Sequence, residues 1–244
     1  MADLLLTIIT VTKNCEATIN RTLDSVSAVK RPGVEYIVVD GASTDATLHI
    51  ILSWDGLVDC LISEPDEGIY NAMNKGVRLA NGRYVLFING DDSLVADGFS
   101  VAMGAMARAQ GGIICTSTLV GGVCNPTEIL VAEPSLLPFF NSIPHPSSFV
   151  LRELLLCNPF SEDLRIASDY DFFLSAYLAR VYFCILPVVT ALHHRGGASG
   201  NIELSLREVH QVRRNRLRWR FPFFEALVIL RRFYKFAIRR KLEW

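Results

Sequence analysis

The chain has 244 residues, half of them hydrophobic and a fifth charged, so a sizeable core is available and disorder is excluded as its main character. A formal net charge of -1 gives no reason to expect a polyanionic partner, yet it hides an asymmetry. Residues 201–244 hold 12 Lys/Arg against 4 Asp/Glu, whereas residues 1–200 hold 12 against 21, so an acidic body is joined to a basic tail.

The first element in chain order is a buried strand over Leu4–Thr12, short and rich in β-branched residues, and too often interrupted by threonine to be a secretory signal. A helix follows over Cys15–Ala28, with Ile19, Leu23 and Val26 at helical spacing. Val34–Val39 reads as a second strand, ending at Asp40-Gly41-Ala42-Ser43-Thr44-Asp45, and Ala46–Trp54 as a second helix. Val58–Ser63 is a third strand. The segment SEPDEGIYNAMNKG (Ser63–Gly76) then leads into a helix marked by Ile69, Ala72, Met73, Gly76, Val77 and Ala80 and stopped at Asn81-Gly82. Arg83–Asn89 is a fourth strand, closing on Gly90-Asp91-Asp92. Beyond it, Gly111–Ala132 reads as strands around a Gly121-Gly122 turn, Ser147–Leu151 as a strand, Ser168–Arg180 as a helix and Val181–Val189 as a strand.

Strands alternating with helices predict an α/β fold with a mostly parallel central sheet flanked by helices. Ligands of such sheets bind at the carboxyl ends of the strands. Three of those ends are acidic: Asp40 and Asp45, Asp66 and Glu67, Asp91 and Asp92. Carboxylates gathered on one edge repel, and a hard divalent cation with oxygen ligands removes the conflict. Mg²⁺ or Mn²⁺ also recruits phosphate oxygens, which makes a nucleoside diphosphate a natural guest. The competing reading is that Asp40, Asp45 and Asp92 close loops and cap helices. Neither a G-x-G-x-x-G turn nor a G-x-x-x-x-G-K-[ST] loop is present, which excludes a dinucleotide fold and a P-loop. Six scattered cysteines without a C-x-x-C pair fit neither a zinc site nor a disulfide frame. Reduced thiols in a cytosolic chain are expected.

The stretches TIITVTKN, VVDGASTDAT, SEPDEGIYNAMNKG, FINGDD and SDYDFFL together resemble the inverting glycosyltransferases of family 2, with the GT-A fold, over roughly residues 4–200. The SEPDEGIYNAMNKG block is the specific one, similar to bacterial members that build surface polysaccharides. The resemblance implies donor contacts at Thr10, Asp40, Asp45, Asp66 and Asp91, and a metal ligand at Asp92. His194, in the pair His193-His194, takes the place of a late histidine ligand. Asn71 departs from the family pattern, where Asp is more usual, and Ser168-Asp169 stands where Glu-Asp is common.

Inversion is one in-line displacement and needs a base for the acceptor hydroxyl. Ser168-Asp169-Tyr170-Asp171 has the form of a capping box, with Ser168 as N-cap and Asp171 satisfied at the third helical position. That leaves Asp169 to face the cleft, and the family pattern also puts the base there. A role in stabilising the helix dipole is the alternative. His145, between Pro144 and Pro146, reads as an acceptor-side cleft residue or as a structural histidine on a proline-rich turn.

In residues 201–244, Phe223, Leu227, Leu230, Tyr234 and Ala237/Ile238 mark an apolar stripe among basic residues. An amphipathic basic helix suits an anionic membrane surface, while the alternative is a helix packed on its own domain. Nothing supports nucleic-acid binding. No stretch reaches the ~18 apolar residues of a spanning helix, so a cytoplasmic protein, peripheral on the inner face of the plasma membrane, is expected.

The expectation is therefore a GT-A catalytic domain over residues 1–200 followed by a helical tail over 201–244. The enzyme would transfer a sugar, with inversion and a divalent cation, from a nucleotide sugar to a lipid-linked or polysaccharide acceptor. The alternatives are a silent nucleotide- or glycan-binding module of the same fold and a nucleotidyltransferase.

Overall fold

Every residue of the first strand, β1 (Leu6–Thr12), is buried, and its side chains divide between two cores. Ile9 and Val11 join one cluster, Leu6 and Ile8 the other. Strict alternation in a strand covered on both faces requires this division. A computed structural model describes residues 4–109, 111–122, 125–194 and 201–228 of the chain.

Around β1 lie β2 (Val34–Asp40), β3 (Cys60–Ser63) and β4 (Tyr84–Phe87), all parallel, with Leu6 in register with both Val34 and Tyr84. Their carboxyl ends therefore share one edge. On one face lie α1 (Ile19–Ser27) and α2 (Thr47–Ser53), together with α4 (Ala96–Arg108), through Leu23, Ile51 and Phe99. On the other face lie α3 (Ile69–Leu79), α6 (Ser168–Leu178) and α7 (Ile202–Leu217), through Met73, Phe173 and Val212. The result is a three-layer α/β arrangement.

The parallel expectation holds for the first four strands and fails in part beyond them. The sheet runs β3-β2-β1-β4-β8-β6-β9-β5, with β7 beside β6. Here β8 (Ser148–Leu151) runs antiparallel to both β4 and β6 (Ile113–Gly122), and β7 (Asn125–Leu130) antiparallel to β6. The last long strand, β9 (Phe183–His193), is parallel to β6 and antiparallel to the two-residue β5 (Ser93–Leu94).

Two boundary differences matter for the site. β6 runs on to Gly122, which is in register with Asn125, so Gly121-Gly122 belongs to the strand and is not the turn expected there. β9 continues past Val189 to His193, which carries that histidine to the acidic edge. The sequence reading also passed over α4 and α5 (Arg152–Cys157). α4 crosses β9 closely: a Cβ on Gly98 would lie 2.1 Å from the Val189 carbonyl oxygen, so only glycine fits there.

α7 belongs to the body. Its Glu208 is buried and accepts the backbone N–H groups of Arg165, Ile166 and Ala167 at 2.8–2.9 Å. Arg213 is 5 % exposed, donates to the Pro138 carbonyl and pairs with Glu225. Among the described residues no helix is long and apolar enough to cross a membrane.

Candidate active site

A cavity of about 1100 Å³ opens over the carboxyl edge of the parallel strands. Lys13, Asp66, Glu67, Asn89, Asp91, Asp92 and His193 line one part of it, and Asn141, His145, Arg165 and Asp169 line another. Two of the three acidic strand ends therefore meet in one space.

The charge of SEPDEG is placed by backbone geometry. Gly68 has φ +132°, a conformation that favours glycine, and its N–H donates to Asp66 Oδ1 at 3.0 Å. Gly41 lets the neighbouring loop approach, because a Cβ there would fall 2.2 Å from Asp66 Oδ2. Asp66 thus sits against the turn that follows β2.

Other expected donor residues stand differently. Thr10 is fully buried, and its hydroxyl accepts the Tyr36 O–H at 2.9 Å. This corrects its assignment as a donor contact, since the alternation of β1 turns it into the core. Asp40 is also fully buried and accepts Ser43 N–H at 3.0 Å and Ser63 O–H at 2.7 Å, tying the ends of β2 and β3 together. Asp45 accepts the N–H groups of Glu16 and Thr47 at 3.1 and 3.0 Å. Both close loops behind the cavity wall, and neither lines it.

Asp92 is 1 % exposed. Its Oδ1 lies 2.8 Å from His193 Nδ1 and accepts the His194 backbone N–H at 3.0 Å. The imidazole touching the carboxylate is that of His193, while His194, the histidine expected there, reaches Asp92 through its backbone N–H. Strand alternation at the end of β9 points successive side chains apart. The His194 ring makes no contact with Asp92 that matches the one from His193. Its Nε2 is buried without a partner among the described residues, and burial, then the charge of Arg21, lowers its pKa while Asp92 pulls the other way. Burial, then the charge of Asp92, pushes the Asp91 carboxyl up from its ordinary value. The hydrogen bond to Asp92 raises His193.

Among the described residues no three acidic, histidine or cysteine side chains converge as a metal cage. The donor set fits a cation bound in the other common way, by one or two carboxylates with substrate phosphate oxygens completing the shell. Asp91 is raised by burial and, after it, by the charge of buried Asp92, and a cation between them would relieve that second part.

Asp169 is the second residue of α6. Its Oδ1 lies 3.1 Å from Tyr70 Oη, which is also 2.7 Å from the Ile166 carbonyl. Asn141 Nδ2 donates to the other oxygen at 3.4 Å. Burial, then the charge of Asp169, keeps the Tyr70 hydroxyl well above its usual pKa and hence protonated as a donor. The capping box does not form. Ala167 is the N-cap, Ser168 lies inside the helix, and Asp171 pairs bidentately with Arg216 at 2.6 and 2.7 Å. Glu208 meets the backbone donors leading into the helix instead, from 41–43 residues away in sequence. Asn71, the departure from the family pattern, donates with Asn74 to Glu162 at 2.8 Å each.

His145 lies within a cage of Phe87, Phe160 and Phe173, with ring centroids 5.2, 5.7 and 6.1 Å away. Its Nε2 is buried without a partner among the described residues. Burial lowers its pKa, while the charges of Asp169 and Asp92 pull the other way.

A mixed sheet with acidic loops converging on one cavity, and a carboxylate helix start beside it, is the GT-A glycosyltransferase arrangement. Residues 7–147 match the family described as Glycosyl transferase family 2. The chain is 31% identical over 217 residues to a "PGL/p-HBAD biosynthesis glycosyltransferase" of Mycobacterium tuberculosis, covering 83% of this chain and 82% of that one. The chain belongs to glycosyl transferase family 2. The structure of S. aureus TarS in complex with UDP-GlcNAc aligns with a TM-score of 0.71 at 20% identity, covering 87% of this chain and 65% of that one. Glucosyl-3-phosphoglycerate synthase from Mycobacterium tuberculosis, in complex with Mn2+, UDP and glucosyl-3-phosphoglycerate, aligns at 0.62 and 21% identity, covering 87% and 79%. At these identities the two structures speak to the fold.

Tyr70, Asn141 and Glu208 were missed by sequence reasoning, and of the pair His193-His194 it favoured the second. Tyr70 stands in the diagnostic SEPDEGIYNAMNKG block, which was the one available signal. The other two depend on contacts between distant segments.

Proposed function

We propose that the protein transfers a sugar with inversion from a nucleoside diphosphate donor to a hydroxyl of a glycan or lipid-linked acceptor. The observation that carries this reading is Asp169, a cavity-lining carboxylate fixed by Tyr70 and Asn141. In the proposed reaction the acceptor hydroxyl donates its proton to Asp169 as its oxygen bonds to the sugar carbon. The bond from that carbon to the diphosphate oxygen breaks, and the nucleoside diphosphate leaves. Tyr70 and Asn141 orient the carboxylate, leaving a lone pair for the incoming proton.

Lys13 and Asp66 would receive the donor, with the Asp40 and Asp45 loops shaping the wall behind them. Asp92, with Asp91 and His193 beside it, would hold Mn²⁺ or Mg²⁺. The cation, when bound, offsets the negative charge of the diphosphate. His145 stands on the acceptor side. Residues 201–244 would place the enzyme at the inner face of an anionic membrane, so a division at residue 200 separates jobs while α7 stays packed on the body. Residues 229–244, outside the described residues, supply six Lys/Arg against one Glu to that role.

The test is single-turnover transfer beside donor affinity. Asp169→Asn is expected to lose about 10²–10⁴-fold in transfer, the scale of a positioned base, with donor affinity retained. Asp171→Asn, which breaks only the Arg216 pair, should stay active. Near-normal transfer by Asp169→Asn would refute the base assignment.

A further inference from the structure

The acceptor end of the cavity carries an aliphatic wall that sugar chemistry alone does not explain. Ile129, Leu130 and Val131 are 58, 37 and 52 % exposed, and all three line the cavity together with Leu136. Ile129 and Leu130 end β7, whose pairing among the described residues is with β6 alone. Two exposed aliphatic residues at the end of an edge strand, followed at once by a third, are a liability for association unless something covers them.

The wall is joined to the chemistry by short links. Two residues beyond Val131, Glu133 N–H donates to the Ser142 carbonyl at 3.0 Å, and Ser142 O–H donates back to the Glu133 carbonyl at 2.7 Å. The residue before Ser142, Asn141, donates to Asp169. A hydroxyl delivered to Asp169 therefore brings whatever is attached to it within reach of these side chains. A free glycan would be met mainly by polar groups, whereas this wall offers the aliphatic side chains of Ile129, Leu130 and Val131, with the Phe140 ring lining the same cavity. The charged lining of this part among the described residues, Glu133, Arg165 and Asp169, holds a single cation, which gives no cluster of cations for a diphosphate-linked carrier.

From this continuity we infer that the acceptor carries a neutral alkyl or aryl group next to the sugar or hydroxyl that is glycosylated, and that Ile129, Leu130, Val131 and Leu136 bind this group. The inference rests on the transferase reading and narrows its acceptor class. It makes the apolar group part of what the site recognises, beyond any anchoring of a distant lipid.

The test compares paired octyl and methyl glycosides of glucose, galactose, mannose and rhamnose, below the micelle concentration. Their dissociation constants are measured with Mn²⁺ and with UDP or GDP, whichever the protein binds. The inference requires at least one octyl glycoside to bind about tenfold or more tightly than its methyl partner, since buried methylenes each contribute to transfer from water. In Ile129→Ser/Val131→Ser that ratio should fall toward one, with nucleotide affinity and melting temperature retained. Should the double variant not fold, Val131→Asn alone is expected to reduce the ratio. Equal binding of octyl and methyl partners throughout the panel overturns the inference, as does a ratio untouched by these variants. A dimer in solution that the variants dissolve would give the wall to a second copy and equally overturn it. Absence of nucleotide binding and of donor hydrolysis by the wild type would instead count against the transferase reading itself.

Discussion

A buried imidazole with an unpartnered nitrogen is the residue most sensitive to solution conditions. His145 has a folded pKa below its ordinary 6.5 because burial penalises the charged ring. The unfolded chain therefore binds the proton first as the pH falls, and stability drops below pH 6.5 toward the folded pKa. Urea midpoints at pH 7.5 and 5.5 should diverge more in the wild type than in His145→Gln, which cannot titrate; parallel profiles would rule out the effect. Gly41→Ala probes another contact, because its Cβ would fall 2.2 Å from Asp66 Oδ2. The carboxylate can swing away, so melting should change little. Donor affinity should fall about tenfold, the lower end of what a hydrogen bond to a charged group contributes. Unchanged affinity would remove Asp66 from the donor site. At this scale the sequence made carboxylate identities legible through acidic strand ends. It did not show which of two adjacent histidines would face Asp92, because that depends on where β9 ends.

Elements were readable where one periodicity held without interruption. β1 to β4 and α3 lie within a residue or two of the expected spans, because unbroken apolar runs and an amphipathic repeat fix them locally. α4 was passed over because two glycines and many small residues blur its period, although those small residues are what let it cross β9. α7 was read for its charge, and the element carrying Glu208 was not distinguished from the tail. Yet Glu208 is the acceptor for the backbone just before the helix of Asp169. Glu208→Ala would leave three N–H groups without that acceptor, at a cost of about 1–3 kcal/mol for each one that finds no water. The same loop carries the Ile166 carbonyl that meets Tyr70. The variant is thus expected to melt earlier and to transfer more slowly, with donor affinity spared. Thermal melts and single-turnover rates check both effects, and wild-type rates in a folded variant would confine Glu208 to a structural role.

For the whole molecule, the charge asymmetry visible in the sequence turns out to be partly internal. Arg207 pairs with Glu203, Arg213 with Glu225 and Arg216 with Asp171, so part of the basic tail is neutralised within the protein. Phe224 also packs on Phe139, with ring centroids 5.2 Å apart. Composition counts charges but cannot say which find partners after folding. This decides where a truncation may be placed. Deleting residues 222–244 removes Glu225 and Phe224 and leaves the buried Arg213 guanidinium without its carboxylate. Breaking a buried pair from one side typically costs about 3–5 kcal/mol, so this deletion should melt well below the wild type. Glu225→Gln should reproduce much of that loss. A deletion of 229–244 keeps Arg213, Glu225 and Phe224 and removes six Lys/Arg with one Glu. It is therefore the variant that separates membrane contact from folding. The full chain is expected to sediment with anionic vesicles at low salt and to release as salt rises, because the Debye length is only about 8 Å at physiological ionic strength. The 229–244 deletion should stay in the supernatant while keeping its melting temperature and its transfer to a water-soluble acceptor. Equal sedimentation of both proteins would assign the contact to another surface, and no sedimentation of the full chain would remove the membrane role.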